Sequence, residues 1–237
     1  ETDLEKSGNF TLLDIAVALD WVQANIEVFG GDKNNVTLAG FSAGGRDVMA
    51  TLISPLFEGK YHKAISFSGG MTLVDKAESQ EIFATALAPL VVGDGVKADE
   101  AAAKEWLLTS GQDVQDYLHG LSADRLAPLM GNAAIRMSVF PHLYKDGVVI
   151  PEEGFESKNY NDVPLLLVTG TSEFSLFTAF DKRFATAVSD GSLFKDENLL
   201  KEFTYAETYG SQLYRLSNTV ESARIMTEHY NSPIYIS

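Results

Sequence analysis

Between Thr11 and Val28, Leu12, Ala16, Leu19, Val22 and Ile26 recur at helical spacing, with Asp14, Asp20, Gln23 and Glu27 between them. This pattern predicts an amphipathic helix lying on a core, with Asn9 as its N-cap. Gly30 to Asn35 reads as a loop. The pattern then changes. Val36-Thr37-Leu38-Ala39-Gly40 is a short apolar run, the form expected of a strand buried on both faces of a parallel sheet. Three more strands are predicted at 64–67, 163–169 and 234–236. Helices are predicted at 43–53, 78–91, 98–109, 122–129, 195–207 and 211–229, with Ser122 as an N-cap and Pro55 just past the end of the first. Strands alternating with helices point to an α/β fold around a mostly parallel sheet. The long interval between the second and third strands predicts a helical, cap-like insertion over residues 71–160, within a single domain spanning 1–237.

Composition narrows the class. The 237 residues are 45% apolar and 22% charged, which suits a packed globular core. With 18 basic and 33 acidic side chains the formal charge is −15, so neither nucleic acid nor an anionic membrane is an expected partner. No apolar run reaches membrane-spanning length, and no basic-then-apolar leader opens the chain. The absence of cysteine excludes disulfides, thiolate zinc sites and cysteine nucleophiles, but sets no compartment. Of the four histidines, His62, His119, His142 and His229, no two have the i, i+4 spacing of a helical metal site. No metal or cofactor is expected.

Gly40-Phe41-Ser42-Ala43-Gly44 fits G-x-S-x-G at the junction of a predicted strand and a predicted helix. In a nucleophile elbow this turn is strained and flanked by small residues, and it lifts the serine hydroxyl clear of the backbone. Ser42 is then the nucleophile, and the N–H of Ala43 faces a developing oxyanion. The alternative is a glycine-rich β-α turn that binds phosphate, although no G-x-G-x-x-G is present.

Several spaced motifs carry a wider resemblance. Gly8-Asn9-Phe10-Thr11-Leu12-Leu13-Asp14, Ala18-Leu19-Asp20-Trp21-Val22, Asn25-Ile26, Phe29-Gly30-Gly31-Asp32, Val36-Thr37, Gly40 to Gly45, Ser54-Pro55 and Ala64 to Gly69 occur in the order found in the type B carboxylesterases. That family includes the cholinesterases and bacterial para-nitrobenzyl esterases. Asp146-Gly147-Val148-Val149-Ile150-Pro151 resembles its Asp-Gly-x-x-x-Pro stretch, and Asn161 to Thr171 its strand before the acidic triad residue. Residues 71–140 show no such likeness.

The resemblance implies an α/β-hydrolase fold, present in part, and a serine esterase acting through a Ser-His-Glu triad. Glu173 in Gly170-Thr171-Ser172-Glu173-Phe174 takes the place of the acid. The stretch is about two residues shorter than usual, and Phe174 replaces the family glycine. The alternative for Glu173 is a carboxylate serving a helix N-terminus. Phe41 stands where the family has glutamate, which implies a more apolar substrate pocket. Asp47 stands where the family has serine; part-buried, it needs a partner, and Arg46 is expected to point elsewhere. Ser68 matches a serine that supports the triad, or is an ordinary strand-end hydroxyl.

The triad histidine and the upstream His-Gly-Gly oxyanion loop have no counterpart between Glu1 and Ser237. His62 and His229 precede their strands, at the wrong end of the sheet. His119 and His142 fall in the variable region, and His142 is the better substitute. The chain is therefore expected to be the middle and later part of a longer enzyme. Its expected substrate is a small carboxylic ester with apolar groups. Its expected partners are the rest of its own parent chain or further copies. The competing expectation is a non-catalytic, cholinesterase-like adhesion or scaffold protein.

Overall fold

The computed structural model describes residues 2–130 and 143–237, and resolves them into two compact units, Glu1–Thr72 with Asp146–Ser237, and Leu73–Lys145. The first is built on four parallel strands: β1 (Thr37–Phe41), β2 (Lys63–Phe67), β5 (Leu165–Val168) and β6 (Ile234–Ile236), in the order β1-β2-β5-β6. The register sets Phe41 beside Phe67, Phe67 beside Val168, and Leu167 beside Ile236. Leu165 and Leu167 are buried on one face of the sheet, as are Ala64 and Ser66 in β2. β1, expected to be buried on both faces, leaves Thr37, Ala39 and Phe41 exposed. It is one of the two edge strands of this sheet and has a hydrogen-bonded neighbour on one side only.

Helix α1 (Asp3–Lys6) is one turn closed by a capping box from Thr2 and Glu5. Helix α2 (Phe10–Asn25) buries Leu12, Ala16 and Leu19, the predicted stripe. It stops three residues early, passing into a 3₁₀ turn (Ile26–Phe29) that Gly30 ends in the left-handed conformation. Asn9 occupies the N-cap position, but its side chain does not cap the helix. Its amide donates instead to the Asp146 carboxylate at 2.6 Å, an acceptor made stronger by its charge. The other Asp146 bonds explain the Asp-Gly-x-x-x-Pro stretch, for this carboxylate also accepts the amides of Val148, Val149 and Ile150 at 2.7–3.0 Å. Two motifs 137 positions apart thus meet at one hydrogen bond.

Helix α3 (Ala43–Thr51) follows β1 directly and buries Val48, Met49 and Ala50. Leu12, Met49, Leu52, Phe57, Ile150, Leu165, Leu167 and Met226 are among the fully buried side chains of this unit.

In the second unit β3 (Val74–Asp75) pairs in parallel with β4 (Tyr144–Lys145). Helices α4 (Lys76–Gly93), α5 (Glu100–Leu108), α6 (Gln112–His119) and α7 (Ala123–Leu126) follow β3. Ala84, Ala88, Val91, Ala103, Leu107 and Val114 form their core, and the alanines let the helices approach closely. Arg125 clamps Asp94 through two bonds of 2.7 and 2.8 Å, and this holds the Asp94 carboxyl below its ordinary range.

Back in the first unit, α8 (Ser175–Phe180) and α9 (Ala185–Ser189) lead to α10 (Glu197–Arg215). A π-helical turn (Leu216–Val220) joins α10 to α11 (Glu221–Met226). Periodicity missed α6, α8 and α9, which are five to eight residues long and shorter than the window it needs. The expected break between 207 and 211 does not occur; α10 runs straight through Gly210.

Candidate active site

Ser42 sits between β1 and α3 with φ 56° and ψ −113°, a conformation that L-residues rarely adopt. Its N–H donates to the Phe67 carbonyl at 2.8 Å, tying the turn to the neighbouring strand. Gly40 is required for the same turn, because a Cβ there would overlap the Gly44 carbonyl. Ser42 is exposed, and its hydroxyl bonds no described residue. Ala43 opens α3, so its N–H is one of the first-turn amides left without a helical partner. Phe41 is 72% exposed at the end of β1 and lies beside Phe67 in register.

Ser68 ends β2 as Ser42 ends β1, and it too has positive φ, at 52°. Its N–H donates to the Val168 carbonyl at 2.8 Å, and its hydroxyl donates to Glu173 Oε1 at 2.5 Å. Glu173 follows β5. The same Oε1 accepts the Gly170 N–H at 2.6 Å and the Thr169 hydroxyl at 3.2 Å. Three donors therefore fix one carboxylate oxygen, while Oε2 accepts no bond from a described residue. Ser42, Ser68 and Glu173 follow the carboxyl ends of three adjacent parallel strands. In open α/β sheets this is the end where ligands bind.

Asp47, one turn into α3, is half-buried, and burial raises its carboxyl above the ordinary range. Arg46, expected to point elsewhere, is the cation that partly offsets this. The Arg46 charge also acts on the Tyr214 hydroxyl, which donates to the Ser68 carbonyl at 2.7 Å. Burial pushes the Tyr214 hydroxyl pKa up, with Arg46 acting against the rise. Sequence reasoning missed Tyr214, and one aromatic among many in an amphipathic helix gave no signal for it.

The histidines lie elsewhere. His62 Nδ1 accepts the Val36 N–H at 3.2 Å, at the amino end of β1. His229 lines a cavity of about 1000 Å³ beside the amino ends of β2, β5 and β6, together with Tyr61, Tyr160, Asn161, Asp162 and Asn231. His119 ends α6 in the second unit. His142 lies outside the described residues. Among the described residues no group of three or more His, Asp or Glu side chains could hold a metal ion, and no helix is long and apolar enough to cross a membrane.

Comparison with known proteins agrees with this layout. Over 73 residues the chain is 56% identical to the crystal protein of Dictyostelium discoideum, covering 31% of this chain and 13% of that one. It is 32% identical to the para-nitrobenzyl esterase of Bacillus subtilis (strain 168) over 173 residues, covering 72% of this chain and 33% of that protein. A solved para-nitrobenzyl (PNB) esterase structure superposes with a TM-score of 0.62 at 25% identity, over 95% of this chain and 48% of that one. The chain thus spans a third or less of these curated relatives, and about half of the solved structure. The fold is the α/β-hydrolase fold. The sequence model of the carboxylesterase family matches residues 1–233, so the chain belongs to that family.

Proposed function

We propose that the protein containing this chain is a carboxylic ester hydrolase in which Ser42 is the nucleophile. The observation that supports this best is the row of strand ends: a strained, exposed serine at one, and at another a glutamate whose Oε1 is held by three donors while Oε2 stays open. A carboxylate held in this way suits the role of orienting a histidine and stabilising its imidazolium. That histidine comes from outside the described residues. It takes the Ser42 proton as Oγ attacks the ester carbonyl. The Ala43 N–H and the other first-turn amides of α3 help to stabilise the oxyanion. Collapse of the tetrahedral species expels the alcohol and leaves an acyl-serine, which water then hydrolyses. Phe41 and Phe67 give the acyl site an apolar wall, which favours small esters with apolar groups. Ser68 supports the acid. Asp47 lies behind the elbow and takes no part in proton transfer. Residues 71–160 are a helical, cap-like insertion carried by this single catalytic domain, a reading that the compact unit Leu73–Lys145 supports.

The 237-residue chain alone is expected to hydrolyse esters at less than about a thousandth of the full-length rate, because losing a general base costs orders of magnitude. The test is labelling by a fluorophosphonate, read by intact mass, alongside hydrolysis of a para-nitrophenyl ester. One adduct on Ser42 in the full-length protein, lost in Ser42→Ala, is the expected result. A full-length protein that resists the probe and shows no turnover would favour a non-catalytic adhesion or scaffold role instead.

A further inference from the structure

The acid loop departs from its family at Phe174, where the resemblance implies glycine next to the triad carboxylate. A large side chain there needs room, and α10 supplies it. Gly210 faces the Phe174 ring so closely that a Cβ on Gly210 would lie 2.6 Å from Phe174 Cγ. Something would have to shift, and an aromatic ring anchored at its own backbone has little slack. The next residue, Ser211, is buried, and its Oγ accepts the Phe174 N–H at 3.0 Å. One turn further on, Tyr214 packs edge-on to the Phe174 ring at 6.1 Å between centroids. Its hydroxyl holds the Ser68 carbonyl at 2.7 Å, and Ser68 holds Glu173 Oε1 at 2.5 Å.

We propose that Gly210, Ser211 and Tyr214 form a positioning element for Glu173, which takes over the work that a glycine after the acid does elsewhere in the family. The inference rests on the reading of Glu173 as the triad acid. The element grips the acid from both sides. Ser211 and the Gly210 notch fix the residue that follows Glu173, and Tyr214 fixes the serine that clamps its carboxylate. None of these side chains touches substrate; they act by keeping Oε2 where a histidine N–H must find it.

The test uses the full-length protein and two readouts. Gly210→Ala is expected to lower kcat by about a hundredfold with KM within about twofold, as displacement of a catalytic group does. Peptides spanning 169–177 should exchange amide hydrogens faster in the same variant, because the Gly170 and Phe174 amides lose their acceptors. Adding Phe174→Ala should recover most of both losses, which general destabilisation would not do. Tyr214→Phe, which keeps the ring packing, should cost about three- to tenfold in kcat, the worth of one hydrogen bond. Unchanged kcat and unchanged exchange in Gly210→Ala and Tyr214→Phe would overturn the proposal, as would loss in Gly210→Ala that Phe174→Ala does not recover. If the unsubstituted protein shows no ester turnover, the triad reading falls and the proposal with it in its catalytic sense. Exchange at 169–177 then still decides whether the element holds the loop.

Discussion

The two ends of the sheet are built from the same strands and differ in almost every physical respect. At the carboxyl ends, Ser42 and Ser68 both hold positive φ, a conformation that costs on the order of 1–3 kcal/mol per residue. Ser42 is exposed there, and among the described residues neither its hydroxyl nor Glu173 Oε2 has a hydrogen-bond partner. At the amino ends the polar groups answer one another. The Tyr61 hydroxyl lies 2.9 Å from the Thr51 hydroxyl, and the Tyr160 hydroxyl donates to the Phe155 carbonyl at 2.8 Å. The Tyr230 hydroxyl donates to the Val163 carbonyl and accepts the Val163 N–H. Asn161 bonds the carbonyls of Thr51, Leu52 and Ser54. Burial works against the charge of Asp162, yet its bonds from Asn231 and Ser232 outweigh that and hold its carboxyl below the ordinary range. One end stores strain and leaves chemistry unspent; the other pairs its tyrosine hydroxyls, Asn161 and Asp162, although the buried Ser54 Oγ has no partner among the described residues. A cavity of about 1000 Å³ lies at the second end, away from the strand-end serines and Glu173.

This contrast can be broken at either end. The largest effect is expected at Glu173. Glu173→Gln in the full-length protein should lower kcat by about 10²–10⁴-fold with little change in melting temperature, because the amide still accepts from Ser68 but no longer carries charge. A rate within threefold of the parent protein, by steady-state hydrolysis, would remove Glu173 from the triad. Next comes Tyr230→Phe at the opposite end. It should cost about 1–2 kcal/mol of stability, the price of leaving Val163 unpaired, and leave kcat unchanged. Urea denaturation monitored alongside hydrolysis would show it, and a loss of rate at full stability would erase the distinction between the two ends.

The smallest effect is in alkaline solution. Burial pushes Tyr160 up to about 12, and raises Tyr61 and Tyr230 as well. Folding therefore favours the protonated phenols. Above the ordinary tyrosine pKa of about 10 the unfolded chain binds fewer protons than the folded one, so stability falls as pH rises. The contribution is intact below pH 10 and is lost up to about pH 12 and beyond. Tyr160→Phe should flatten part of that decline in melting temperature between pH 10 and 12. An identical decline in the variant would show that Tyr160 does not contribute to it.

Legibility followed the length of the physical signal. The stripe of α2, the elbow and the four strands of the first unit could be read because each repeats a period or combines it with a turn residue. Asn9 takes the N-cap position that propensity favours, but its side chain serves a charged acceptor that only the fold supplies, Asp146, 137 residues away. The break expected near Gly210 failed for a related reason. Glycine weakens a helix by about 1 kcal/mol, and packing of α10 against Phe174 outweighs that when a side chain has no room.

By itself, then, the sequence determined the α/β class, from the order of apolar runs and helical stripes, and the serine at a strand-helix junction, from residue type and local spacing, while the candidate glutamate followed from the family resemblance. Only the tertiary structure decided that Ser68 and Glu173 share a hydrogen bond, that Oε2 is the oxygen left open, that Tyr214 reaches the Ser68 carbonyl and that the tyrosines gather at the far end. The two hydrogen bonds join residues 105 and 146 positions apart. A hydrogen bond of 2.5–3 Å is fixed by how whole elements pack, which no local pattern encodes.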